Sequence, residues 1–450
     1  MDIFPDEWSP VRLGDLIRIK HGWAFKSEFF SEDLTGLPIV VNIGNFKYTG
    51  GFRFSSTTLK EYRDSYPEEF RLKAGEILLV MTCQTSGGEI LGIPGRIPDD
   101  GRIYLHNQRM GKVVVLTPDK IDQDFLYWLF LWNDFNKVLV ATATGTKILH
   151  TAPDRIESFT FNKPPLPEQR TIAHILGTLD DKIELNRRMN ETLEAIARTI
   201  FKSWFVDFDP VRAKAEGREP ACMDAETAAL FPDSFEETEQ EIAPKGWKLK
   251  PLDEIANFLN GLAMQKFPPE SEDFLPVIKI AELHRGNTIG SDRASSNIDP
   301  RYIIEDGDLL FSWSGSLEVC IWCGGKGALN QHLFKVSSTE YPMWFLYFWL
   351  KEHLLEFQLI AAGKATTMGH IQRYHLREAK AATPIAPLIE RVNVIIEPLL
   401  NLIIKNNLES RNLSLIRDVL LPRLLLGEIR VRGTEKSLED LPSKEKLATC

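Results

Sequence analysis

The sequence predicts an α+β protein: two similar mixed α/β domains separated by two long antiparallel helices that form a coiled coil, with pseudo-two-fold symmetry. Three observations predict it. The chain repeats itself once. Each copy opens with short strand-like apolar runs between turns. Each copy then ends in one long helical pattern.

The repeat begins with Trp8-Ser-Pro-Val-Arg-Leu13-Gly-Asp, matched by Trp247-Lys-Leu-Lys-Pro-Leu252-Asp-Glu. Gly22 corresponds to Gly261, Lys73-Ala-Gly-Glu-Ile-Leu-Leu-Val80 to Glu305-Asp-Gly-Asp-Leu-Leu-Phe311, and His106-Asn-Gln108 to Leu329-Asn-Gln-His332. From Phe125 onward the copies align without gaps at an offset of 220: His150 falls on His370, Pro164 on Pro384, Asn186 on Asn406 and Leu193 on Leu413. Solenoids need three or more much shorter units, so two long copies imply two related domains.

The first part of each copy (1–163 and 242–383) carries runs such as Leu37–Ile43, Ile77–Met81 and Lys112–Leu116 between Gly- and Pro-bearing turns, which read as strands with a few helices. The stretch Asp124–Leu139 has helical spacing. The aromatic runs Phe125–Trp132 and Trp344–Leu350 share Phe-Leu-Tyr and helical spacing, which favours core packing over base stacking.

The second part of each copy (164–206 and 384–432) reads as a long helix. After Pro167, apolar residues recur at Ile172, Ile175, Leu179, Ile183, Met189, Leu193, Ile196, Ile200 and Trp204; the second copy gives Val392, Ile395, Leu399, Ile403, Leu413, Ile416, Leu420 and Leu424. Steps of three and four sustained this long mark a coiled-coil seam. A helix from Pro167 to Trp204 would be about 57 Å long at 1.5 Å per residue. Asn186 and Asn406 fall at matching places; each either fixes register in the seam or sits at its exposed edge. Pro398, inside the second helix, should kink or interrupt it near Glu397. Phe201-Lys-Ser-Trp204-Phe205 is expected to pack against a neighbouring domain or a partner. Between the copies lies an acidic linker (207–241), and a tail (433–450) follows the second helix.

Net charge is −10, which at first argues against nucleic acid. From Asp207 to Trp247, however, eleven carboxylates face four cations, so the rest of the chain carries only −3. Phosphate binding needs local basic patches, not a basic total. Five scattered cysteines fit a reducing, cytoplasmic setting. Met1–Pro10 is polar and acidic, so no secretory signal is expected, and the most apolar runs fall far short of the roughly 20 residues of a membrane span.

Enzyme signatures are missing. There is no Gly-x4-Gly-Lys-Ser/Thr loop for ATP, no Asn-Pro-Pro-aromatic run, and no glycine-rich cofactor loop between strand and helix. Cys320-Ile-Trp-Cys323 has no second pair or His-x3–5-His, so no metal site is expected; two small residues on a strand explain it. His150 and His370 have no recurring carboxylate or nucleophile beside them and read as structural or phosphate-proximal. Asp99-Asp100 and Asp180-Asp181 are isolated pairs, the latter facing solvent or a partner. No catalytic residue is assigned.

Pro164-Pro-Leu-Pro-Glu-Gln-Arg170, Leu179-Asp-Asp-Lys-Ile-Glu-Leu-Asn-Arg-Arg-Met-Asn190 and Phe201-Lys-Ser-Trp-Phe-Val-Asp-Phe208 closely resemble the central conserved region of Type I restriction-modification specificity (S) subunits. Leu421-Pro-Arg-Leu-Leu-Leu-Gly-Glu-Ile429 resembles their second conserved region, and the Trp8 and Trp247 openings look like starts of target recognition domains. The resemblance covers all but the linker and tail. It implies a non-catalytic reader of double-stranded DNA. Each recognition domain reads one half of a split site, and the helices set the gap between the halves. Methylation (M) subunits, usually two, would methylate adenine N6 with S-adenosylmethionine. Restriction (R) subunits would use ATP and Mg; no cofactor belongs to this chain. Two other readings stay open: a fused or standalone methyltransferase or nuclease with a divergent catalytic domain, and a coiled-coil scaffold with no DNA role.

Base edges are read by Arg, Lys, Asn, Gln, Ser or Thr. The loops that carry them supply the candidate DNA-binding residues. In the first copy these are Gln84, Thr85, Ser86, Asn107, Gln108, Arg109, Thr144, Thr146 and Lys147; in the second, Ser312, Ser314, Asn330, Gln331, His332, Lys364 and Thr366. Gly, Ser and Thr loops are also ordinary turns. Arg109, Lys147 and Lys364 suit phosphate, which asks for no base-specific geometry.

Overall fold

A computed structural model describes residues 8–31, 35–54, 58–237, 242–270, 272–363 and 369–431. Lys364, Thr366, part of the acidic linker (238–241) and the tail after 431 lie outside the described residues. The chain forms two compact units, Met1–Asp181 with Ser414–Cys450, and Lys182–Leu413. Each unit holds one mixed α/β domain and a stretch of each long helix.

In the first unit a four-stranded antiparallel sheet runs in the order Ile17–His21, Met110–Val115, Ile77–Val80, Pro94–Arg96. Ile77–Val80 is apolar at every position because both its faces are covered, and all four residues are buried. A second sheet orders Phe30–Ser31, Glu61–Tyr62, Ile39–Val41, Tyr104–His106 and Arg71–Leu72, with Tyr104–His106 parallel to Ile39–Val41. Strand Ser9–Arg12 pairs antiparallel with Thr160–Lys163, which returns the chain to its start just before the first long helix.

The second unit repeats this plan. Its antiparallel sheet runs Asn257–Asn260, Leu333–Ser337, Leu309–Ser312, Val319–Ile321, and its other sheet again contains one parallel pair, Phe274–Ile278 with Gly327–Leu329. Lys248–Pro251 pairs with Lys380–Thr383 as Ser9–Arg12 does with Thr160–Lys163. The aromatic runs are core: Phe125, Trp128 and Phe130 in one unit, and Trp344, Phe345, Phe348 and Trp349 in the other, are all buried. The helical stretch expected at Asp124–Leu139 is two helices, Gln123–Leu131 and Asn133–Thr142, with Trp132 extended between them. That break turns the Trp132 ring toward Phe159, at 6.2 Å between ring centroids. The second copy has one unbroken helix there, Met343–Ala362.

The first long helix is Leu166–Phe201, closed by a π turn at Lys202–Val206. The second is Ala386–Leu425. It runs through Pro398 without interruption, so of the two expected effects, a kink or a break, the break does not occur. Proline removes one backbone donor and leaves the carbonyl of residue 394 without its partner. Val394 is 71% exposed and Pro398 is exposed beside it, so water reaches that carbonyl. The opposite face, Val392, Ile396 and Leu400, is fully buried and holds the helix in place. Each such side chain contributes roughly 1.5–3 kcal/mol, enough to offset a proline cost of about 3 kcal/mol.

The helices run antiparallel in both units. In the first, Asp180 accepts from Arg417 at 2.6 Å and Glu168 accepts from Arg430, which follows the second helix. In the second, Lys182 meets Glu409, Asn186 meets Asn406, and Asn190 meets Asn407. Two seam residues read from the sequence face outward: Ile196 is 46% and Ile416 48% exposed, while Ala197 is buried. Phe201, Trp204 and Phe205 bury themselves with Trp344, Phe345, Phe231 and Trp247 of the same unit, so this end of the helix is anchored to the second domain.

Candidate nucleic-acid interface

The site is built on one tight turn that both domains share. In the first domain Asn107 opens it. Its Oδ1 accepts from the Arg109 backbone N–H at 3.0 Å and its carbonyl from Met110 N–H at 3.0 Å. Gln108 N–H donates to Trp23 and Trp23 N–H to His106, both at 2.9 Å, clamping the turn to the chain after Gly22. A Cβ on Gly22 would lie 2.3 Å from the Asn107 backbone, so only glycine permits this approach. Beneath the turn, His106 is buried with Nε2 2.9 Å from the Met110 carbonyl; burial pulls its pKa down to about 4, so it is neutral and donates that bond.

The second domain reproduces the turn. Asn330 Oδ1 accepts from His332 N–H at 3.2 Å, Leu333 N–H donates to the Asn330 carbonyl at 3.0 Å, and a Cβ on Gly261 would sit 2.2 Å from that carbonyl.

Around the first turn lies an open groove of about 890 Å³. Gln84, Asn107, Gln108 and Arg109 line it together with Asn42, Lys47, Tyr48, Arg53 and Lys60, and among the described residues no Asp or Glu does. Four cations and several amides without a carboxylate suit phosphates and base edges. Thr85 and Ser86 continue the Gln84 loop and are exposed; the Thr85 hydroxyl is donated to Glu89. Strand Leu149–His150 pairs with Thr82–Cys83, which sets the exposed loop of Thr144, Thr146 and Lys147 beside the Gln84 loop. His150 Nδ1 lies 3.1 Å from the Thr82 hydroxyl, a contact that pins this loop.

The second domain places its candidates differently. Ser312 is fully buried: its hydroxyl donates to the Ser316 carbonyl at 2.7 Å and accepts from Glu318 N–H at 2.8 Å. Ser314 and Asn330 are also buried. Gln331 and His332 are half-buried. His332 Nδ1 is 2.9 Å from the Ser314 hydroxyl, and its ring lies 5.9 Å from that of Trp313.

Sequence reading passed over Asn42, Lys47, Tyr48, Arg53, Lys60 and Trp313. A signal was present for most of them: Lys47, Tyr48, Phe52, Arg53, Phe54 and Lys60 interleave cations with aromatics, a pattern of nucleic-acid surfaces.

The other candidate groups have structural surroundings. Burial pushes Cys320 up to about 12 and Cys323 up to about 11, which works against thiolate formation. Asp100 accepts from the Tyr104 hydroxyl at 2.9 Å. Among the described residues no group of three or more His, Cys, Asp or Glu is placed to hold a metal, and no helix is long and apolar enough to cross a membrane.

Asn186 is fully buried between the long helices. Its Nδ2 donates to Glu409 at 2.9 Å, Ser410 at 3.2 Å and the Asn406 carbonyl at 3.3 Å. Asn406, also buried, donates to Asn190 Oδ1 at 2.9 Å.

The profile of the Type I restriction modification DNA specificity domain matches residues 5–195 and again 244–414. The chain is 27% identical over 446 residues to the Type I restriction enzyme HindI specificity subunit of Haemophilus influenzae, covering 81% of this chain and 95% of that one. It is 26% identical over 332 residues to the MjaIX specificity subunit of Methanocaldococcus jannaschii, covering 70% and 71%. Among solved structures, the S subunit of a Type I restriction-modification system from M. genitalium shares the fold, with a TM-score of 0.53 at 14% identity over 94% of this chain and 98% of that one.

Proposed function

Because the chain belongs to the Type I restriction modification DNA specificity family, we propose that it is the non-catalytic DNA-reading subunit of a Type I restriction-modification complex. Each mixed domain reads one half of a bipartite target. The observation that carries this reading is the groove in which Gln84, Gln108 and Arg109 meet Lys47, Arg53 and Lys60, with no carboxylate among the described residues that line it. Such a groove attracts backbone phosphates while amides and a guanidinium face base edges.

The residues divide by role. Lys47, Arg53, Lys60 and Lys147 meet phosphates; Gln84, Thr85, Ser86, Gln108, Thr144 and Thr146 border the bases of one half-site. Gln331 and His332, with Lys364 and Thr366, serve the other. Ser312, Ser314, Asn107 and Asn330 shape the loops. The two long helices set the unread gap, and Asn186 with Asn406 fixes their register. A buried amide satisfied in one alignment costs stability and penalises slipped ones, and Asn186 Oδ1 has no partner among the described residues, which is part of that cost.

Adenine methylation belongs to methylation subunits, two per chain, that bind S-adenosylmethionine. ATP and Mg belong to restriction subunits, and the complex works in the cytoplasm. The fused-enzyme reading is not favoured, since the relatives are specificity subunits.

The test is domain exchange. The chain is co-expressed with its methylation subunits, residues 1–163 are replaced by a foreign recognition domain, and methylated adenines are mapped across the host genome. One half-site should change and the other persist. Methyl transfer by the purified chain alone would overturn the proposal.

A further inference from the structure

The shared turn assigns different work to its three residues. In both domains the asparagine side chain is spent on the turn itself, and the glycine opposite is sterically required. What remains free to face a ligand is the glutamine and the residue after it: Gln108 with Arg109, and Gln331 with His332.

That last position is where the copies part. Arg109 is exposed in the groove, and among the described residues its guanidinium has no hydrogen bond and no ion pair. His332 is held: Nδ1 lies 2.9 Å from the Ser314 hydroxyl, Nε2 lies 3.3 Å from the Gln331 amide nitrogen, and Trp313 flanks the ring. The hydroxyl is present in both copies, since Thr82 pairs with His150 as Ser314 pairs with His370. In the first copy it meets His150 Nδ1 instead and leaves the side chain of the third turn residue unheld. An invariant frame with one divergent, outward residue is how a common scaffold distinguishes two sequences.

We propose that position 109, and its counterpart 332, is the specificity-determining position of the shared turn, with Arg109 reading a guanine in the half-site of the first domain. This rests on the reading of each domain as a half-site reader. A free guanidinium at a groove edge matches guanine O6 and N7 through two parallel bonds in one fixed plane, whereas lysine's rotatable ammonium reaches the same two acceptors with less directional preference. His332, both of whose ring nitrogens already have partners in Ser314 and Gln331, cannot present such a pair of donors and selects a different base.

The experiment uses the complex assembled with its methylation subunits, mapped for methylated motifs, with Arg109→Lys, Arg109→Ala and His332→Arg variants. Arg109→Lys and Arg109→Ala should each lose guanine preference at one position of one half-site, by about five- to 150-fold in discrimination. The other half-site should be unchanged. His332→Arg should alter one position of the opposite half-site. Arg109 is exposed, so its variants should melt with the parent. If Arg109→Lys keeps the full motif, and Arg109→Ala weakens all sequences alike while lowering the salt slope by about one, Arg109 is a phosphate contact and the proposal is overturned. Exchange of residues 1–163 runs alongside. If that exchange moves a half-site while the Arg109 variants do not, only the assignment of position 109 falls. If the exchange leaves the motif intact, the half-site reading itself falls.

Discussion

Glu168 is the place where one side chain decides the stability of a whole unit. It is buried at the start of the first long helix and accepts four hydrogen bonds: Trp8 Nε1 at 2.9 Å, Arg430 Nε at 2.8 Å, Arg430 Nη2 at 2.9 Å and Val431 N at 3.3 Å. It thereby ties together the first strand's approach, the first helix and the segment after the second helix. Leucine at 168 would strand the partly buried Trp8 indole, at about 1 kcal/mol. It would also remove a two-bonded guanidinium. Breaking a buried pair costs about 3–5 kcal/mol, but Arg430 is 43% exposed and regains water, so its share falls to about 2 kcal/mol. The total is about 3 kcal/mol. For a unit of about 220 residues each kcal/mol moves Tm by about 2–4 °C, so the first unit should melt about 6–12 °C lower. Differential scanning calorimetry reads this, with amide hydrogen exchange over the first unit to assign the transition. The second copy supplies the control, because Leu388 occupies the equivalent place and is fully buried. A Glu168→Leu, Arg430→Leu double variant should therefore recover part of the loss, as apolar replacements of whole ion pairs do. A Glu168→Leu variant that melts within about 1 °C of the parent, less than 1 kcal/mol should produce, would refute the reasoning.

His106 makes the first domain acid-sensitive. Its folded pKa of about 4 lies below the unfolded value near 6.5, so the unfolded state binds more protons in between. The stabilisation is full above about pH 6.5 and lost as pH falls toward 4, amounting to about 3 kcal/mol. Urea unfolding against pH should show this slope in the parent and lose it in His106→Leu, the residue that the second copy carries as Leu329. Gly22→Ala and Gly261→Ala should each cost about 2–4 kcal/mol by urea titration, confined to the domain that carries the change, because the added Cβ meets backbone and not a flexible tip. Matched seven-residue insertions in both long helices should lengthen the gap of the methylated motif by about 10.5 Å of helix rise, near three base pairs at about 3.4 Å each. The bases read at either end should be unchanged; an altered half-site with a constant gap would contradict the spacer reading.

Duplication was legible because it is a property of the string: a constant offset of 220 places His150 on His370 and Asn186 on Asn406 before any fold is known. The seam was legible only in part. Counting apolar residues in steps of three and four drifts past the polar seam residues Asn186 and Asn190, and so selected Ile196 where the buried residue is Ala197. Whether Pro398 would break the helix was not legible, because its cost depends on what lies one turn earlier, and an exposed Val394 cannot be told from a buried one by its letter. The candidate site suffered from the same one-dimensionality. Ser312, Ser314 and Asn330 carry the right functional groups, yet all three are buried: Ser312 and Asn330 bond to the backbone of their own turns, and Ser314 to the His332 ring. The groove itself gathers residues from four separate stretches, around 25–30, 40–60, 84–90 and 107–110, and the parallel pairing of Tyr104–His106 with Ile39–Val41 brings the second and fourth to one edge.

The differences between copies separate scaffold from reader. Where Glu168 faces Leu388 and His106 faces Leu329, a polar solution to burial has been exchanged for an apolar one, and the backbone plan is the same on both sides. Those substitutions are neutral toward a ligand because neither side chain reaches the surface. Arg109 against His332 is of another kind: the turn beneath is held by the same asparagine and glycine, and what changes is the side chain that stands on it and its neighbours. A surface exchange on an unchanged frame alters only what the frame presents. On the half-site reading proposed above, divergence at this exposed position leaves the asparagine and glycine of the turn untouched, whereas exchange of a whole domain must preserve its ties to the helices, such as Trp8 to Glu168.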